Sequence, residues 1–182
     1  MSTDDRPFIA LSIAVLTVSD TRTMDDDRSG GTLAARIAEA GHRVADRRIV
    51  PDDVEAIRET VVAWTKDPAV DVVLTTGGTG FTGRDVTPEA LEPLFDKRMD
   101  GFSAVFHRIS FDKIGVSTIQ SRATAGLVNA TFVFALPGSP GACRDGWDHI
   151  LKDQLDYRHR PCNFVEIMPR LDEHLRRDGR SA

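Results

Sequence analysis

Apolar residues fall along the chain in two alternating patterns. Continuous β-rich runs occupy Ser12–Ser19, Asp71–Thr76 and Thr131–Leu136, as expected of strands covered on both faces. Between them the spacing changes to that of helices. Leu33, Ile37 and Ala40 recur before a Gly41 stop. Val54, Ile57, Val61 and Trp64 share one face of Asp52–Lys66, and Trp147, Ile150 and Leu151 point one way in Ala142–Leu155. His42–Val50 predicts a fourth strand, placed at the outside by its three arginines and one aspartate. Thr87 reads as a cap with Pro88 at the first helical position, and Phe102, Val105, Phe106 and Ile109 predict another short helix. Ser121 follows what reads as an extended run.

Strands alternating with helices imply right-handed βαβ units, and hence a three-layer α/β/α fold around a mostly parallel central sheet. The 182 residues suit one domain: a tail over 1–10, a single α/β unit over 11–160, and a polar extension over 161–182 whose last ten residues are expected to fray. In such sheets ligands sit beyond the carboxyl ends of the strands. Those ends read Thr17-Val18-Ser19-Asp20, Pro51-Asp52, Gly77-Gly78-Thr79-Gly80 through Asp85, and Pro137-Gly138 through Gly141. All are small, polar or acidic, so the site is expected there.

Charge narrows the ligand. With 23 Lys+Arg against 28 Asp+Glu, the chain lacks the basic excess of a nucleic-acid binder, but backbone N–H groups and a bound cation still allow an anionic small molecule. The two cysteines, Cys143 and Cys162, form no C-x-x-C and exclude a zinc staple. The apolar run Phe8–Val18 is too short to span a bilayer and follows acidic residues. A soluble, cytoplasmic protein without membrane partners is expected.

The stretch Gly78-Thr79-Gly80-Phe81-Thr82-Gly83 spells G-x-G-x-x-G, but no helix starts at its third glycine, so a dinucleotide fingerprint fails on context. Arg84 and Asp85 stand where a P-loop needs Lys and Ser/Thr. What remains is a loop rich in backbone donors, with a carboxylate that points to a divalent metal sharing the charge neutralisation. Asp52 and Asp85, each just past a strand, can converge above the sheet as Mg²⁺ ligands. Asp52 also reads as the cap of its own helix, with Glu55 completing a capping box, and Asp85 as an Asx-turn residue. Asp25-Asp26-Asp27 reads as a solvated loop, Cys143 as a buried helix residue, and the five histidines carry no assigned chemistry. Arg122 suits either an anion grip or a surface charge.

Taken together, TVSD (17–20), PDD (51–53), TTGGTGFTGRDVTPEA (75–90), SRATAG (121–126) and LPGSPGA (136–142) resemble the MoaB/MogA family of molybdenum cofactor biosynthesis. Phe106–Gly115 and the Arg160–Phe164 tail look like its B branch. The resemblance implies adenylation of molybdopterin by ATP with Mg²⁺, releasing pyrophosphate. It implies catalytic and metal-binding roles for Asp52 and Asp85, a pterin loop at Gly77, Gly78, Thr79 and Gly80, and further contacts at Ser19, Asp20, Ser110, Ser121, Arg122, Pro137 and Gly138. A non-catalytic molybdopterin-binding or assembly protein is the alternative, and a nucleotide-binding oxidoreductase a distant third. Other molybdenum cofactor enzymes are expected partners.

Phe102, Val105, Phe106, Ile109 and Phe111 crowd more large apolar side chains into one short segment than a single inward face can bury. With the resemblance, this predicts a homo-oligomer, a trimer or hexamer, with Phe106 or a neighbour at the subunit contact.

Overall fold

The computed structural model describes residues 6–174; the positions expected to fray therefore lie largely outside the described residues. Six strands form one sheet in the order β2-β1-β3-β6-β5-β4: β1 Ser12–Val18, β2 Arg43–Val50, β3 Val72–Thr76, β4 Lys97–Arg98, β5 Thr124–Val128 and β6 Thr131–Leu136. The β2, β1, β3 and β6 neighbours pair in parallel, whereas β5 runs antiparallel to both β6 and β4. Every residue of β1, β3 and β6 is buried, while β2, at the edge, is half-exposed along its length.

Helices cover both faces. On one, α1 (Arg28–Glu39), α4 (Asp100–Ile114), α5 (Pro140–Gly146) and the turn that follows it bring Leu33, Ile37, Phe102, Phe106, Cys143 and Trp147 against Ile13, Val15, Leu74 and Phe134. On the other, α2 (Val54–Thr65) and α3 (Thr87–Leu91) pack Ile57, Val61, Trp64 and Leu91 on Leu16, Val73 and Val133. Each such fully buried side chain contributes roughly 1.5–3 kcal/mol of transfer free energy. After α5 the chain continues as a π turn, Trp147–Leu151, and α6 (Lys152–Gln154); α7 (Phe164–Ile167) then lays Phe164 and Val165 on the first core.

The sheet order places the topological switch point between β1 and β3. From β1 the chain crosses through α1 to β2 on one side, and from β2 through α2 to β3 on the other. The loops leaving β1 and β3 therefore diverge at their carboxyl ends and open a crevice.

Within the SRATAG stretch Thr124 opens β5, and Gly126 sits mid-strand, where the Phe95 ring and the Lys97 carbonyl crowd the place a Cβ would take. Three local expectations need correction. The run before Ser121 is a 3-10 helix, Gly115–Gln120, and is not extended. Thr87 does not cap α3; it is the first helical residue, and its hydroxyl donates to the Gly77 carbonyl at 2.8 Å. Phe106 is 1% exposed and belongs to the core, so it cannot be a subunit contact in this fold. Its neighbours Val105 and Phe111, with Ile114, Val116 and Ile119, are exposed, 49–72% accessible.

Candidate functional site

The glycine loop leaves β3 with two residues at positive φ, Gly77 (102°) and Gly78 (64°). A side chain at Gly77 would collide with the Val18 carbonyl oxygen, and one at Gly78 would lie 2.5 Å from Thr87 Oγ1 and 3.1 Å from Asp52 Oδ1. Glycine is required here both by the left-handed backbone and by close approach. The loop is then tied down from below: the Gly77 N–H donates to the Leu136 carbonyl, the Thr87 N–H to the Gly78 carbonyl, and the Thr76 hydroxyl to the Pro137 carbonyl. Gly138 backs directly onto Gly77, where a Cβ would sit 3.1 Å from its Cα.

The structure brings Asp52 and Asp85 to this loop from opposite sides. Asp53, not Asp52, is the N-cap of α2, accepting the Ala56 N–H at 2.9 Å; the capping role expected of Asp52 falls one residue later. Asp52 is thereby free to turn toward Gly78. Asp85 curls back on its own turn, its Oδ2 accepting from the Thr82 N–H at 2.9 Å and the Thr82 hydroxyl at 2.6 Å, and it rests against Gly80, 2.8 Å from where that residue's Cβ would be.

Their electrostatics differ. Burial, followed by the negative charge of Asp20 and more weakly that of Asp85, raises the Asp52 carboxyl above its ordinary range. Burial opposes the charged form of Asp85 too, but hydrogen bonds from Thr82 and from the Gly80 backbone outweigh it and hold that carboxyl low. Asp20 is held low chiefly by Arg84, which grips it through Nε and Nη2, both at 2.8 Å. Of these three carboxylates only Asp20 forms an ion pair among the described residues, with Arg84; Arg84 acts more weakly on Asp52, and Arg122 on Asp85. The excess of negative charge fits a divalent ion. Among the described residues no group of three or more His, Cys, Asp or Glu could hold a metal.

Arg122 organises the far side of the loop. Its N–H donates to the Thr79 carbonyl at 2.9 Å, Nε to the Gly80 carbonyl at 2.9 Å and Nη2 to the Asp85 carbonyl at 3.1 Å, while Nη1 pairs with Glu89. Of the two readings open for it, neither a free surface charge nor a free anion grip describes this geometry: the guanidinium is a clamp on the loop. Phe81, 70% exposed, leans on it with its ring centroid 5.2 Å away. Ser121 lies beside Arg122 in the same segment. Ser110 lies on the buried face of α4 with Phe102 and Phe106.

At the switch point a cleft of about 240 Å³ opens between β1, β3, the start of α1 and the loop after β6, lined by Thr17, Ser19, Arg22, Asp27, Arg28, Ser29, Gly77 and Gly138. Ser19 lies where expected, its hydroxyl accepting from the Thr21 and Arg22 N–H groups at 3.3 Å. The expectation of a solvated aspartate run fails at Asp27. Its carboxylate is buried, caps α1 through the Gly30 N–H (2.9 Å), accepts from the Thr17 hydroxyl (2.7 Å) and pairs with Arg47 (2.8 Å). The usable signal was Asp27-Arg28-Ser29-Gly30-Gly31, a cap residue followed by small residues at a helix start. Cys143 is buried as expected; burial pushes its thiol up to about 11, so it stays protonated and unreactive.

Comparison with known proteins agrees with this fold. A family described as a probable molybdopterin binding domain matches residues 14–157. The molybdenum cofactor biosynthesis protein B of Escherichia coli (strain K12) is 52% identical over 164 residues, covering 90% of this chain and 96% of that protein. A crystal structure of a molybdenum cofactor biosynthesis protein B superposes with a TM-score of 0.83 at 38% identity, covering 92% of this chain and 99% of the other. The tungsten cofactor synthesizing protein MoaB from Pyrococcus furiosus does so with a TM-score of 0.65 at 33% identity, covering 94% and 98%.

Proposed function

The chain belongs to the MoaB/MogA family of molybdopterin-binding domains and acts in molybdenum cofactor biosynthesis, and from that premise we propose that it adenylates molybdopterin. In this reading a terminal phosphate oxygen of the pterin attacks the α-phosphorus of ATP. The new P–O bond forms as the α–β P–O bond breaks, and pyrophosphate leaves. Such a displacement needs alignment and charge stabilisation, and no protein nucleophile.

The observation that carries the reading is the placement of Asp52 and Asp85 against Gly78 and Gly80 of one rigid loop. These two carboxylates would hold Mg²⁺, which when bound neutralises charge on the triphosphate. The N–H groups of Gly77–Gly80 and the hydroxyls of Ser19 and Ser121 would hold the two substrates. Pro137 and Gly138 would shape the floor. Arg22 and Arg28, exposed at the cleft beside the first turn of α1, supply positive charge for the phosphates. Asp20 keeps Arg84 occupied and so helps leave Asp52 for the ion. We further propose that the chain works as a closed homo-oligomer, supported by the exposed apolar side chains from Val105 to Ile119.

The test is pyrophosphate release from Mg-ATP on addition of molybdopterin. Release is expected for the parent, and a loss of about a hundredfold or more for Asp85→Asn and Asp52→Asn. Pterin binding without turnover, with Asp85→Asn indistinguishable from the parent, would instead identify a non-catalytic pterin-binding protein.

A further inference from the structure

Phe81 stands at the tip of the glycine loop, 70% exposed, although the backbone on both sides of it is fixed. On its amino side the Gly80 carbonyl accepts from Arg122 Nε at 2.9 Å. On its carboxyl side the turn Thr82–Asp85 closes on itself: the Asp85 N–H donates to the Thr82 carbonyl at 3.1 Å, and Asp85 Oδ2 accepts from the Thr82 N–H at 2.9 Å. The ring is positioned as well. The Arg122 guanidinium lies over one face, 5.2 Å from the centroid, and is itself held by the Gly80 and Asp85 carbonyls and by Glu89. A cation over an aromatic ring is a directional contact, so the second face of Phe81 is turned away from the guanidinium. A side chain added at Gly83, two residues on, would meet nothing within 4 Å, so the tip is open there. Burying a ring of this size is normally favourable. One held rigid and wet beside a phosphate-binding loop has the form of a stacking platform, which takes any flat π-face and nothing saturated.

We infer that Phe81 is a specificity-determining residue for the pterin, its free face taking the flat ring of that substrate in a stacked contact. The inference rests on the reading that this loop binds molybdopterin. The two heterocycles in that reading are separated by charge. Arg22 and Arg28, which suit a triphosphate, line the cleft between β1, β3 and α1, and neither Phe81 nor Arg122 lines it. The nucleotide is therefore assigned to the cleft and the pterin ring to Phe81, with Asp52 and Asp85 at the glycines of the loop that serves both.

The test is the affinity of the full chain for an oxidised, fluorescent pterin monophosphate, read by the anisotropy of its emission, beside calorimetric titration with Mg-ATP. Phe81→Ala is expected to weaken pterin binding roughly five- to thirtyfold, the size of one stacked ring. Phe81→Leu, which keeps apolar bulk and has no π-face, is expected to lose most of the same affinity, and Phe81→Trp to retain it. Mg-ATP affinity is expected to be unchanged in all three. A leucine variant as tight as the parent, equal losses of pterin and Mg-ATP, or a loss confined to Mg-ATP overturns the inference. So does a variant that falls apart in sedimentation with its pterin affinity intact, which would make Phe81 a subunit contact. The leucine and tryptophan variants decide the matter even where the alanine variant does not fold. A parent that binds no pterin overturns the pterin reading together with this inference. A parent that binds it as weakly as Phe81→Ala overturns this inference alone. If the parent binds pterin through Phe81 and releases no pyrophosphate, adenylation fails while the stacking result stands.

Discussion

Asp20 and Asp52 hold each other by reciprocal hydrogen bonds: the Asp20 N–H donates to Asp52 Oδ2 at 3.0 Å, and the Asp52 N–H donates to Asp20 Oδ1 at 3.1 Å. The carboxyl ends of β1 and β2 are thereby stitched together at the rim of the cleft, and two like charges are kept close. Asp20 is compensated by Arg84. Asp52 is left to bear the burial cost and the repulsion.

Asp20→Asn keeps the oxygen that accepts the Asp52 N–H and removes the charge. The Asp52 carboxyl is then expected to titrate at lower pH than in the parent, while staying above the ordinary value because burial is its largest influence. A carboxyl ¹³C titration measures this. An unchanged or upward shift would show that Asp20 does not act on Asp52 through its charge.

Two glycines offer a contrast that separates backbone need from mere presence. Gly77→Ala meets both a φ of 102° and the Val18 carbonyl, so a loss of about 2–4 kcal/mol is expected, seen as a melting point lower by roughly 5–15 °C. Gly101→Ala, on α4 with nothing within 4 Å of the added carbon, is expected to stabilise by about 0.5 kcal/mol. Thermal unfolding of the two variants beside the parent checks both signs.

His42 predicts a pH dependence of stability. Its Nδ1 accepts the Leu11 N–H at 3.1 Å, which only the unprotonated ring nitrogen can do, and the ring is buried between Phe8 and Trp147. Burial lowers its folded-state pKa, against a partial opposing pull from Asp156 and Asp71. Below about pH 6.5 the unfolded chain therefore binds the proton more readily than the native one. The His42 contribution is complete above that value and is lost as pH falls through the lower, native one. Urea midpoints between pH 5 and 8 are expected to fall on the acid side in the parent, with a flatter slope in His42→Gln. Equal slopes would remove His42 from the account.

Helix α4 divides its apolar residues between two tasks. Phe106→Ala is expected to cost about 3–5 kcal/mol of stability, as a cavity in the first core. Phe111→Glu and Val105→Glu are expected to leave unfolding nearly unchanged and to break the oligomer into 20.0 kDa chains. Sedimentation velocity with near-ultraviolet circular dichroism reads both. Variants that stay assembled would move the interface off α4.

Much of this protein was already determined by its sequence alone. Continuous apolar runs set β1, β3 and β6, helical periodicity set α1, α2 and the α5 region, and small polar residues at the strand ends marked the carboxyl edge as the candidate site; these signals are local, because a strand or helix face is written in residues two to four apart. The tertiary structure decided what depends on distant partners. Gly126 is a strand residue because Phe95 covers it, and β5 turns back through Asn129 and Ala130, both at positive φ, a hairpin without the Asn-Gly signature that announces one. Asp53 takes the cap and frees Asp52; Asp27 is buried because Thr17 and Arg47 reach it; Phe106 faces inward because α4 lies across Phe134 through Phe102. Arg84 finds Asp20, and His107 finds the Ser121 carbonyl. A pattern along the chain records which residues avoid water, but which carboxylate, arginine or carbonyl meets which is settled only when the sheet order brings their loops to one edge.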